Sequence, residues 1–252
     1  MKNKIITICL FTVSGIVFAH DHSYTSQEDL NKQVKNYLQS QNLPLPDSGI
    51  QIISGKELFA SQATKNKDFQ MLNEQRKNGY VKADNSRAKE LMELHNTATY
   101  QYQKFANDYS PSGTYLRHAI AELKMAYTFI GVPQSDMSKC IGVAPYGAYH
   151  EDGWDGAIQF FDNEKIGSCA FTEHNILLSH GGARLAKEAI VYEVSNKPTL
   201  ILVKGNDITG YVYEVHWFDN LFARTLECAN KNYDPVITQK VIALANRIDK
   251  NT

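Results

Sequence analysis

Near residue 135 the apolar residues of this chain change period, from steps of three and four to steps of two, and that change limits the folds open to it. Before it, the pattern is helical. Ser26-Gln27-Glu28-Asp29 opens a stretch to about Gln41 with an acidic first turn suited to the helix dipole. Leu43-Pro44-Leu45-Pro46-Asp47-Ser48-Gly49 breaks it, because two prolines and a glycine cannot sit inside a helix. A second helix is expected from about Lys67 to Lys77, stopped by Asn78-Gly79. A third, from Ser86 to about Asp108, carries Ala88, Leu91, His95, Ala98, Tyr102, Phe105 and Tyr109 on one face. After Ser110-Pro111-Ser112-Gly113 a fourth places Leu116, Ile120, Leu123, Tyr127 and Ile130 together, ending at Gly131 and Pro133.

Beyond the change the signals are those of strands: Ala157–Phe161, Ser168–Glu173, Lys187–Val194, Thr199–Lys204, Gly210–Trp217 and Leu221–Cys228, rich in β-branched and aromatic residues. A break is expected at His180-Gly181-Gly182. The short links between strands suit an antiparallel meander, since parallel neighbours need a crossover of a dozen residues or more. Asp234-Pro235 then caps a helix whose Ile237, Val241, Leu244 and Ile248 form a stripe that must bury against the sheet. The expectation is α+β: a helical region of about four helices over 20–135, then a meander of five to six strands with a C-terminal packing helix over 136–252, the two halves separate or continuous.

Residues 1–19 read as a cleavable signal peptide. Met1-Lys2-Asn3-Lys4 is basic, Ile5 to Phe18 is apolar, and Val17-Phe18-Ala19 places compact residues before a cut. The apolar run is shorter than the roughly 20 residues that span a bilayer, so the expected product is exported, periplasmic or secreted, without a membrane span. Removing Lys2 and Lys4 with the signal takes the formal charge from −1 to −3, which gives no electrostatic case for nucleic acid. Cys9 leaves too, and Cys140, Cys169 and Cys228 stay. In an oxidising compartment an odd count suggests one bridge and one free thiol, or a bridge to a partner. Alternation puts Cys169 on a face with Phe171 and Cys228 on a face with Phe222 and Leu226, favouring Cys169–Cys228, with Cys140–Cys169 as the alternative. Three reduced, buried thiols are the plain alternative.

Four places could carry chemistry. Cleavage after Ala19 would expose His20-Asp21-His22, whose amine, two amides and third-position imidazole can bind Cu(II) or Ni(II); most chain ends have no such role. Tyr149-His150-Glu151-Asp152-Gly153-Trp154-Asp155-Gly156 gathers an imidazole, three carboxylates and an aromatic in what reads as a polar turn entering a strand. His150, Asp152 and Asp155 could serve as acid and base there, although the spacing fits no calcium loop or zinc motif. Cys169 could be a nucleophile with His174 or His180 as base and Glu173 or Asp155 as orienter. It lies mid-strand, however, and His174 would stand about 16 Å along a straight strand. Last, Tyr211, Tyr213 and Trp217 alternate on one strand face, with Val212, Glu214 and His216 opposite; with Trp154 they form a binding platform if exposed and core if covered.

There is no G-x-x-x-x-G-K-[ST], G-x-G-x-x-G, C-x-x-C or G-x-S-x-G, so nucleotide, thioredoxin-like and serine-elbow chemistry lack their signatures. No cofactor is required by any motif. The leading expectation is therefore an exported, non-catalytic protein that binds a protein or small-molecule ligand. The alternative is a hydrolase or transferase using the His150–Asp155 segment or Cys169, and a second alternative is metal capture at His20.

Overall fold

The computed structural model describes residues 49–58, 62–94, 116–179 and 181–251. The expected signal peptide, His20-Asp21-His22, the Ser26–Gln41 helix, His95 and His180 lie outside them. The elements in chain order are β1 (Gly49–Ile53), α1 (Gly55–Leu58), α2 (Gln62–Asn78), β2 (Val81–Lys82), α3 over 86–94, β3 (Lys139–His150), β4 (Gly153–Asn163), β5 (Gly167–Asn175), β6 (Gly182–Ala186), β7 (Tyr192–Val194), β8 (Lys197–Asn206), β9 (Gly210–Phe218), β10 (Phe222–Asn230) and α4 (Pro235–Asp249). An eight-stranded sheet of order β2-β8-β9-β10-β5-β4-β3, with β7 also on β8, dominates; β1 and β6 form a separate parallel pair. Among the described residues no helix is long and apolar enough to cross a membrane.

This corrects the α+β expectation of a four-helix region followed by a simple meander. Residues 116–130 are not a helix. The segment runs extended, with one 3₁₀ turn at Ile120–Glu122, and is tied to the sheet by bridges Arg117↔Val143 and Met125↔Trp154. Ile130 N–H donates to Glu173 and Val132 N–H to Gln159, so cross-chain partners meet the backbone groups a helix would have met internally. The sheet, too, is not one meander. β3-β4-β5 and β8-β9-β10 are each antiparallel meanders, and they join where β5 pairs with β10, a contact between strands far apart in the chain. Strand β3, which the sequence reading did not assign, carries Gly142, Pro145 and Gly147; at an edge a proline lacking its N–H is tolerated. The expected Lys187–Val194 strand is a 3₁₀ turn at Lys187–Ala189 followed by the short β7, and β6 begins inside the expected break.

The sheet has two unlike faces. On the first, Phe161, Phe171, Tyr213, Val215, Trp217 and Leu226 pack against Ile237, Val241, Leu244 and Ile248 of α4. That helix starts where Asp234 accepts the Val236 N–H at 2.8 Å with Pro235 in its first turn. Each buried aliphatic of the stripe contributes roughly 1.5–3 kcal/mol. Cys169 and Cys228 face one another across β5 and β10 in this core and are joined by a disulfide, while Cys140 is a free, exposed cysteine. On the second face two smaller apolar clusters sit apart. One joins Ala144, Phe160, Ala170, Val212 and Ala229 to Ala88 and Leu91 of α3; the other joins Leu200, Phe218 and Ala223 to β6 and to Phe69 and Leu72 of α2.

Candidate active site

The segment 149–156 is the tip of the β3–β4 hairpin, with His150 paired to Gly153 and the exposed Glu151 and Asp152 between them. Just inside the tip the register shifts between Tyr146 and Tyr149, so that Gly147 and Ala148 together oppose Asp155. Such a bulge frees a backbone N–H from the ladder and re-aims it. Here Ala148 N–H donates to Asp155 Oδ1 at 2.7 Å. Gly147 has φ +83°, and a Cβ there would strike Asp155 Oδ1, so glycine is required for the carboxylate to approach.

Asp155 is fully buried, and its other oxygen, Oδ2, lies 2.8 Å from His150 Nε2. On the Oδ1 side, His174 Nε2 stands 3.4 Å away, close enough for charge attraction but outside hydrogen-bond alignment. Burial pushes the Asp155 carboxyl up, but His174, His150 and the Ala148 N–H together outweigh it and hold the group below its ordinary 3.8. Asp155 is thus an anion at neutral pH, and an anion can only accept; His150 Nε2 must carry the shared proton, leaving Nδ1 as the outward nitrogen. The His150 side chain is 15 % exposed, and among the described residues its Nδ1 makes no hydrogen bond.

The surroundings are aromatic. Tyr146 stands edge-on to His174 at 5.4 Å and Tyr149 edge-on to Trp154 at 5.4 Å, with Lys124 Nζ 6.0 Å above the Tyr149 ring. Tyr146 and Tyr149 are 38 % and 41 % exposed. The extended 116–130 segment buttresses the tip, since Trp154 N–H donates to Lys124 O and Ala126 N–H to Trp154 O.

The other expected positions are scattered. Asp152 is exposed on the turn. Cys169 is bonded to Cys228 and points into the first face, while His174, an odd number of residues away, points to the second. Tyr211, Tyr213 and Trp217 are buried under α4, with Trp217 Nε1–H donating to Asp249; Trp154 is half-buried. Among the described residues no group of three or more His, Cys, Asp or Glu is arranged to hold a metal.

Two groupings went unread in the sequence. Glu173, fully buried beside His174 in the chain, is 2.7 Å from Arg224 Nε; Arg224 also reaches Asp219 at 2.8 Å and Asp249 at 3.5 Å, and Lys197 closes on Asp249 at 2.6 Å. Burial lifts the Glu173 carboxyl above its ordinary value even against the pull of Arg224. On the second face, Glu214 is held by Lys204 at 3.0 Å and His216 at 3.4 Å, His216 Nδ1 meets Thr225 Oγ1 at 3.0 Å, and Glu227 pairs with Arg87 of α3 at 2.7 Å. The signal for both was polar residues at mid-strand positions, Glu173, Glu214, His216, Arg224 and Glu227, where a strand buried on both faces should be apolar. Compared with known protein families, curated proteins and solved structures, the chain matches none.

Proposed function

We propose that the protein is an exported hydrolase or transferase in which His150 is the general base and Asp155 its orienting carboxylate. One observation carries this: the 2.8 Å contact from His150 Nε2 to a carboxylate that is fully buried and pinned by a backbone N–H. A buried anion on one imidazole nitrogen fixes the tautomer and stabilises the imidazolium that forms when the other nitrogen takes a proton. In hydrolysis, His150 Nδ1 would remove the proton from water as its oxygen bonds to the electrophilic atom. The same proton would then pass to the leaving group as its bond breaks. Work outside the cytoplasm is supported by the disulfide together with the basic and apolar pattern of residues 1–19.

The test is turnover of chromogenic esters, glycosides and phosphoesters by the full chain and by His150→Ala and Asp155→Asn. Both variants are expected to lose about 10²–10⁴-fold. Hydrolysis undiminished in His150→Ala overturns the assignment. A second reading, binding without chemistry, draws on the exposed Tyr146 and Tyr149 rings beside the pair. It predicts ligand capture that both variants keep, with no product formed.

A further inference from the structure

His174 is sealed from water and yet makes no hydrogen bond. It is only 2 % exposed, and among the described residues neither Nδ1 nor Nε2 has a partner. A buried polar group left unmet costs about 1–3 kcal/mol, so a ring held this way calls for a reason. Its backbone is paired with Gly156 of β4 on one side and Ala223 of β10 on the other, which fixes where the ring starts. Tyr146 stands edge-on against it, and Nε2 lies 3.4 Å from Asp155 Oδ1. The room for this approach comes from Gly147. A Cβ at that position would come within 3.2 Å of His174 Nε2 as well as striking Asp155 Oδ1. The bulge in β3 therefore makes space for two groups at once, the carboxylate and the second imidazole.

The anion decides how that imidazole is protonated. A neutral imidazole carries an N–H on one nitrogen and a lone pair on the other. With the proton on Nδ1, a buried N–H would lack any acceptor and the Nε2 lone pair would face an anionic oxygen. With the proton on Nε2, the positive end of the ring dipole faces the carboxylate and only an acceptor is left unmet. Oδ1 is then shared by Ala148 N–H and His174, and Oδ2 belongs to His150. We propose that His174 is a positioning residue: its Nε2–H, turned onto Asp155 Oδ1, holds the carboxylate so that Oδ2 stays aimed at His150 Nε2. The inference rests on the acid–base reading of His150. Burial, which pushes the Asp155 carboxyl up, is opposed most strongly by His174, in keeping with this role. Without His174, Oδ1 keeps one donor, the carboxylate gains freedom to rotate and His150 loses its fixed partner.

The experiment reads the ring nitrogens directly. Long-range proton–nitrogen correlation spectra of the isotope-labelled full chain report which nitrogen of each imidazole carries its proton. They are recorded for the wild type, His174→Phe, His174→Gln and His150→Ala, the signals missing from a variant assigning that ring. On the same four proteins kcat and KM are measured with a chromogenic substrate that the wild type turns over. A proton on His174 Nε2 is expected in the wild type. His174→Phe keeps a flat ring and loses the donor; its His150 should pass from one tautomer to a mixture, with kcat lower by about 10–100-fold and KM little changed. His174→Gln, whose amide can donate to Oδ1, should restore the single His150 tautomer and most of kcat. Should His174→Phe fail to fold, the wild-type tautomer and His174→Gln still decide. A His174 without a proton on Nε2, or a His150 tautomer and kcat in His174→Phe identical to wild type, overturns the proposal. Turnover lost in His150→Ala but intact in His174→Phe removes His174 and keeps His150 as base. Absence of turnover in every protein removes the base, while the tautomers of the two rings still test whether His174 positions Asp155.

Discussion

Two fully buried carboxylates on neighbouring strands, Glu173 on β5 and Asp155 on β4, meet their charge in different ways. Glu173 is matched by Arg224, a permanent cation that also holds Asp219 and approaches Asp249, so the Glu173 network binds β5, β10, the β9–β10 turn and the end of α4 to one another. Asp155 is matched by two imidazoles and a backbone N–H at the bulged end of a hairpin with an aromatic, half-exposed rim. Arginine does not give up its proton in a protein, whereas histidine exchanges one near neutrality. The first arrangement therefore holds the fold, and the second is able to move a proton. The difference teaches that burial alone does not mark a working carboxylate; the partner's ability to titrate does.

The strongest way to break this comparison is Arg224→Met, which leaves Glu173 buried without its cation. Urea unfolding is expected to show a loss of about 3–5 kcal/mol, against a much smaller loss for His150→Ala. Equal losses would mean that the Asp155 cluster is structural as well. A smaller effect is expected from Gly147→Ala, which strains a positive-φ bulge and puts a methyl group against Asp155. It should cost about 1–3 kcal/mol and abolish turnover together, while an alanine elsewhere on β3 costs only stability. Wild-type turnover in Gly147→Ala would show that the bulge does not position the carboxylate.

The smallest effect, and the one that sharpens the contrast most, is in acid. Asp155 is held below its ordinary 3.8, so its stabilisation is complete above that value and drains as pH falls through the lowered folded one. Glu173 is raised above its ordinary 4.5, so its ionised form opposes folding at neutral pH. That opposition is relieved as pH falls through the raised value. Urea stability measured across the acid range should therefore lose its lower limb in Asp155→Asn and its upper limb in Glu173→Gln. Identical profiles for the two variants would erase the distinction.

Much of the local structure was legible from residue order. The stripe from Ile237 to Ile248 and the Asp234-Pro235 start specify α4, and period-two parity put Cys169 and Cys228 on matching apolar faces. The His150–Asp155 segment stood out by composition. His174 was singled out only as a base for Cys169; that it stands against Asp155 beside His150 follows from the pairing of β4 with β5, which residue order does not reveal. Residues 116–130 misled because apolar residues at steps of three and four also suit an extended segment that buries only some of its side chains. There tertiary pairing overrode the local pattern.

Sequence alone therefore determined which side chains share a strand face, where α4 begins and which cysteines could meet, because each depends on the fixed geometry of a few neighbouring residues. Tertiary structure alone decided that β5 lies beside β10 and that Asp155 stands between two imidazoles. Those outcomes depend on register. Register is set by how side chains from distant stretches pack across the sheet, and a one-residue slip would send every one of them to the opposite face.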